Sequence, residues 1–270
     1  MRAFKPSFTI LELLIVIIII GILAYSINFK FFNTNLQVAA DSLIKNIHYT
    51  QSLALKDDKY QPFPNHVCDG SDEGKVECNR SKYWFKQWWQ IRFSTFKDSN
   101  NVVHYWYEIF SDLPDASVND NFDKLGKDPS DKRDISLAKN PLTNKLMIGH
   151  CDENGVNFPK CNLIDPKLDL TQAFNVVKVE FSSNFSRSKR LLFDNFGNVF
   201  LKESNSTSDR NGDVGDTNPL DVNARKLLTS NVYIRLCSKT DSSNNCLKDK
   251  DYCVQVNITP TGYVFKSTCN

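Results

Sequence analysis

Phe8-Thr9-Ile10-Leu11-Glu12-Leu13-Leu14-Ile15-Val16-Ile17-Ile18-Ile19-Ile20-Gly21-Ile22-Leu23-Ala24 places a single carboxylate just inside a long apolar run. A charge at the centre of a bilayer-length apolar helix costs about 2.5–3.5 kcal/mol. Such segments therefore exclude carboxylates that have no partner. Two ordinary readings leave Glu12 unexplained. A secretory signal carries an apolar stretch of about 7–15 residues and a small-x-small cleavage site. Here Arg2 and Lys5 supply a basic start, but the run from Ile10 to Ile27 is longer and no Ala-x-Ala follows it. A plain anchor needs about 20 apolar residues, which this run nearly reaches, yet it has no use for an acid in its first turn.

Beyond Ala24 the pattern changes. Leu36, Ala40, Leu43, Ile44 and Ile47 recur at helical spacing, the signature of an amphipathic helix. Asn33-Thr34-Asn35 is a place for it to loosen. Lys56-Asp57-Asp58 and the prolines at 62 and 64 mark its end. A helix from Phe8 to about Lys56 would be roughly 75 Å long. The expected division is a leader over 1–7, a transmembrane and polymerisation helix over 8–28, its amphipathic continuation over 29–58, and a β-rich head over 59–270.

The head reads as antiparallel β-structure. Candidate strands are Tyr83–Phe96, Val102–Phe110, Val176–Phe181, Arg190–Phe193, Val199–Leu201, Val232–Leu236, Cys253–Ile258 and Tyr263–Lys266. Asn195-Phe196-Gly197-Asn198 and Thr259-Pro260-Thr261-Gly262 are turn signals. The stretch 112–171 is polar and weakly periodic, and reads as a long decorated loop. One helix followed by strands is an α+β arrangement: a long N-terminal helix, half membrane stem and half amphipathic, packed on an antiparallel sheet.

Eight cysteines, at 68, 78, 151, 161, 237, 246, 253 and 269, follow the apolar segment. An even number in an oxidising compartment reads as disulfides. The expected bridges are local: Cys68–Cys78, Cys151–Cys161, Cys237–Cys246 and Cys253–Cys269. Zinc usually uses Cys-x₂₋₄-Cys spacing, and no pair here is that close.

At this point the chain resembles a family. Phe8-Thr9-Ile10-Leu11-Glu12-Leu13-Leu14-Ile15-Val16-Ile17, behind a short basic leader, is similar to the start of type IV prepilins and pseudopilins. The resemblance implies cleavage between Ser7 and Phe8 by a prepilin peptidase, although Ser7 stands where Gly is usual. It also implies N-methylation of Phe8 and assembly with other pilins on an inner-membrane platform, with the head in the periplasm. The Phe8 amine of one subunit would meet the Glu12 carboxylate of the next, because buried opposite charges are tolerated when paired. Leu191-Leu-Phe-Asp194-Asn-Phe-Gly197-Asn-Val-Phe200 and Val256-Asn-Ile-Thr-Pro-Thr-Gly262-Tyr-Val264 resemble the hairpins of minor pseudopilins of the GspH/FimT type. A type II secretion or type IV pilus-like filament is the implied setting. The implied alternative is a competence pseudopilin whose head binds DNA.

Enzyme signatures are missing. No Gly-x-Ser-x-Gly, His-Glu-x-x-His or phosphate-cradling Gly-x-x-x-x-Gly-Lys occurs, and the histidines at 48, 66, 104 and 150 lack ligand-spaced partners. The expectation is a non-enzyme. Asp209, Asn211, Asp213 and Asp216 alternate as calcium ligands do, but the loop lacks the usual glycine and closing glutamate; calcium and a solvated loop both remain open. Without Arg2 and Lys5 the side-chain charges balance, so bulk charge gives no support to nucleic-acid binding. Locally, Arg187, Lys189 and Arg190 cluster, and the tail from 225 onward holds seven basic residues against three acidic. Those are candidate phosphate contacts. The aromatic runs Tyr83–Trp89 and Tyr105-Trp106-Tyr107 read either as core or as the lining of a groove.

Overall fold

A computed structural model describes residues 10–57, 88–111, 137–152, 158–186, 189–202 and 225–269, with backbone alone over 24–34. Helix α1 runs from Ile10 to Lys56 without a break, so Asn33-Thr34-Asn35 does not end it. Its two halves differ in burial. Leu36, Ala39, Ala40, Leu43 and Ile47 are all fully buried, one stripe at helical spacing. From Ile10 to Leu23 the large apolar side chains are 45–85% exposed.

The stem-on-a-sheet fold is corrected in two respects. Among the described residues no helix is long and apolar enough to cross a membrane. Glu12 lies inside the apolar run, in the first turn of α1, where a charge is costly in a bilayer. The transmembrane reading of 8–28 and the single-pass inner-membrane location that rested on it are therefore overturned. The β part, moreover, is two antiparallel sheets. One has five strands in the order β2-β1-β4-β5-β6, the other four in the order β3-β7-β8-β9. The strands are β1 Trp89–Lys97, β2 Val103–Ser111, β3 Lys178–Phe181, β4 Arg190–Phe193, β5 Val199–Lys202, β6 Arg225–Leu227, β7 Val232–Cys237, β8 Cys253–Ile258 and β9 Val264–Thr268. A short helix α2, Leu170–Phe174, precedes β3.

Alternation explains the second sheet. In β8, Cys253, Val254, Val256 and Ile258 are buried while Gln255 and Asn257 are half-exposed, and β7 repeats the pattern. The two sheets and the C-terminal half of α1 share one core. Polar ties fix the register of helix on sheet. Asn46 Nδ2 donates to the Tyr107 hydroxyl at 2.7 Å, and Tyr49 Oη donates to the Lys139 carbonyl at 2.8 Å. Lys266 Nζ reaches Asp41 Oδ1 at 2.9 Å.

Both predicted hairpin turns close against the end of α1. Gly197 and Gly262 adopt φ of +80° and +79°, the left-handed region that glycine enters without a Cβ clash. Gln51 Nε2 donates to the Gly197 carbonyl at 3.0 Å. A Cβ on Gly262 would lie 2.4 Å from that same Nε2, so two turns far apart in sequence converge on one glutamine.

The stretch read as a decorated loop holds more order than expected. Leu137, Leu146, Ile148 and Ile164 pack with Trp106 and Phe110 as a second, smaller core on the outer face of β2. Isolated bridges join Glu108 to Ile148, Phe110 to Leu137 and Leu146 to Ile164. Cys151–Cys161 closes this outgrowth, while Cys237–Cys246 and Cys253–Cys269 staple the second sheet. Cys68 and Cys78 lie outside the described residues.

Candidate functional site

A cleft of about 770 Å³ opens between the two sheets. One wall is Phe93, Ser94 and Thr95 of β1 with Val103, Tyr105 and Trp106 of β2; the other is β3, from Lys178 to Phe181. The segment Asp241–Lys248 closes one end. The Cys237–Cys246 bridge holds that segment, and its bend is built by Asp241, whose Oδ1 accepts the N–H groups of Ser243 and Asn245 at 2.8 and 2.9 Å. This is the local hydrogen bonding that makes Asp favour turns.

The floor is aromatic. The Phe93 and Phe181 rings meet edge to face at 5.3 Å, and Phe181 meets Phe185 at 5.1 Å, geometry favoured by the ring quadrupoles. The rim is basic: Lys178, Lys189 and Lys248 all line the opening. Lys189 is pinned in a left-handed conformation, φ 52°. Its N–H donates to the Phe185 carbonyl at 3.0 Å, and its own carbonyl accepts from the Phe93 N–H at 2.9 Å.

The two acids in the cleft are committed elsewhere. Glu180 Oε1 accepts the Cys246 N–H at 2.6 Å and its Oε2 lies 3.9 Å from Arg235; Asp241 serves its own turn. Burial, aided by the Glu180 charge, pushes the Tyr105 phenol above its ordinary value and keeps it neutral. Lysines on the rim over an aromatic floor suit a flat or extended anion. No nucleophile–base pair lies among the described lining residues.

The sequence candidates scatter. Glu12 is exposed in the first turn of α1, while Ser7 and Phe8 lie outside the described residues. So do Asp209, Asn211, Asp213 and Asp216 of the calcium reading, and Arg187 of the basic cluster. Lys189 rims the cleft, but Arg190 stands on β4 opposite Arg92, where its charge acts on the buried Glu108 carboxylate. The aromatic run Tyr105-Trp106-Tyr107 divides in three. Tyr105 and Trp106 line the cleft, and Trp106 also packs in the outer core. Tyr107 is fully buried under α1, where burial pushes its phenol up to about 12.

Sequence reading missed one cluster. His104 and His150 flank the Phe96 ring, with centroids 4.6 and 4.1 Å away. His104 Nδ1 meets Asp169 Oδ2 at 2.8 Å and its Nε2 lies 3.7 Å from Asp98. Asp169 also caps α2, accepting the N–H groups of Thr171 and Gln172. Burial lowers the affinity of His150 for a proton. No spacing along the chain signals this grouping, because the outgrowth delivers His150. Compared with family models, curated proteins and solved structures, the chain matches none.

Proposed function

We propose that this chain is a structural subunit of a pilin-like filament, of the type II secretion or type IV pilus kind. The observation that carries the reading is the division of α1. Its second half is docked in the core, while Ile10–Leu23 presents large apolar side chains to solvent. Contiguous exposed apolar surface marks an interaction site, and packing of this segment against the same segment of neighbouring subunits would cover it. Glu12 has a role in that packing. A carboxylate inside an apolar helix bundle is tolerated when paired, and cleavage between Ser7 and Phe8 would supply an amine at Phe8 of the adjoining subunit. Incorporation into sedimenting filaments tests the reading. Glu12→Ala is expected to abolish co-sedimentation with partner pilins, and undiminished incorporation would overturn it.

A second reading, a subunit that also holds DNA, is favoured by the three lysines over the aromatic floor. Single strands bind where basic side chains track phosphates and rings stack on bases. Fluorescence anisotropy with a labelled oligonucleotide tests it. Neutralising Lys178, Lys189 and Lys248 to Gln should lower the slope of log affinity against log salt by about 2, at roughly 0.7 per phosphate contact. Absence of binding at low salt would remove this reading.

A further inference from the structure

We infer that the four cysteines at one end of the second sheet form a redox-gated zinc site. Cys237 ends β7 and Cys253 begins β8, directly opposite in register. Their sulfurs lie 3.4 Å apart, although each is bonded elsewhere, to Cys246 and Cys269. The sulfurs of Cys237, Cys246 and Cys253 all fall within 4.8 Å of one another, and Cys269 completes a buried cluster of four. A tetrahedral zinc tetrathiolate with Zn–S of about 2.3 Å places its sulfurs about 3.8 Å apart. Across the strands, Cys237 and Cys253 already sit near that spacing, and each bonded pair would open to it once its S–S bond is cut.

The surroundings fit the chemistry. Cys246 lines the cleft described above, beside Lys178 and Lys248. Cys253 lines a second cleft of about 480 Å³ with Lys250 and Lys266; Lys266 also holds Asp41. Cys246 and Cys253 thus border open clefts on two sides of the buried cluster. These lysines put positive charge on the cleft walls, which offsets the double negative charge of a tetrathiolate zinc centre.

The steps balance with a dithiol as co-reactant. Two dithiol molecules deliver four electrons, each cleaving one S–S bond by thiolate attack and leaving as a cyclic disulfide. The four cysteine sulfurs take up four protons. Zn²⁺ then forms four Zn–S bonds and displaces those four protons. A disulfide oxidant reverses the sequence and releases the ion. This inference is independent of the filament reading.

The test uses the full chain, reduced under anaerobic conditions and titrated with Co²⁺. The expected result is the intense visible absorption of tetrahedral cobalt thiolate, saturating at one ion per chain and bleached by Zn²⁺. Native mass spectrometry should show one bound zinc. Cys151→Ser with Cys161→Ser, in the separate outgrowth bridge, should leave the signal intact, and Cys237→Ser with Cys253→Ser should abolish it. Absence of the cobalt bands overturns the inference. So does a signal indifferent to Cys237→Ser and Cys253→Ser, or a reduced chain whose far-ultraviolet dichroism is lost and does not return with Zn²⁺.

Discussion

Replacing Arg92 by Met removes the guanidinium that closes on the Glu108 carboxylate, bonded through both Nε and Nη2. Glu108 is fully buried, and its second oxygen has no hydrogen-bond partner. Burial already holds its carboxyl above the ordinary range, against the pull of Arg92 and, more weakly, Arg190. Stripping one partner from a buried pair costs about 3–5 kcal/mol. Arg190 still faces the acid, so the lower end, about 3 kcal/mol, is expected. At about 2 kcal/mol per molar urea, the unfolding midpoint falls by about 1.5 M. The pH dependence has a defined sign. A carboxyl whose folded pKa is raised contributes fully below its unfolded pKa, and that contribution is lost as pH rises through the folded value. Loss of Arg92 raises the folded value further, so the variant suffers more at about pH 7 than at about pH 5. The double variant Arg92→Met, Glu108→Leu should recover most of the loss, since apolar replacement of a whole buried pair is often neutral. Urea titrations of the three proteins at both pH values decide the matter. A single-variant shift below about 0.5 M at both pH values, or a double variant no better than the single, would refute the reasoning.

Leu43→Ala, at a fully buried site on α1, should cost about 3–4 kcal/mol by urea unfolding. Val38→Ala, 47% exposed on the same helix, should cost less than about 1 kcal/mol. Gly262→Ala should cost about 1–2 kcal/mol for its left-handed backbone plus the clash with Gln51; adding Gln51→Ala should relieve the clash alone, as thermal melts will show. His150 is held neutral by burial, below its usual value of 6.5. A base with a depressed folded pKa contributes stability above its unfolded pKa, lost as pH falls through the folded value. His150→Phe should therefore flatten the decline in urea midpoint on acidification below about pH 6.5.

The docked half of α1 was legible because Leu36, Ala40, Leu43 and Ile47 repeat with the period of the helix. Strands β4 and β8 were legible to the residue, for the alternation in Cys253–Ile258 and the glycine turns beside both strands are local signals. The division into two sheets was not. Val176–Phe181 and Arg190–Phe193 read alike along the chain, yet β3 pairs with β7 and β4 with β1, and long-range pairing leaves no local mark. Strand β6 was missed because Arg225-Lys226-Leu227 has no apolar period, its place set by pairing with β5. The apolar run of α1 was read as a bilayer span on composition, which does not distinguish lipid from another protein as the covering medium. At the cleft, Lys189 was marked by its neighbours in sequence. Lys178 and Lys248 were not, because a strand edge and a disulfide-held bend bring them to the same opening. The sulfur cluster escaped for the same reason: its members lie seven or more positions apart, and cross-strand register joins them.

The continuity of α1 has a mechanical consequence. Tension applied near Ile10 travels along a rod of about 70 Å and enters the head parallel to the helix axis. There it is resisted at once by Leu36, Leu43 and Ile47, with the Asn46–Tyr107 and Lys266–Asp41 ties alongside. Contacts loaded side by side must yield together, whereas contacts loaded in series peel away singly. The head is thus gripped in shear, an arrangement suited to a part that is pulled by one end.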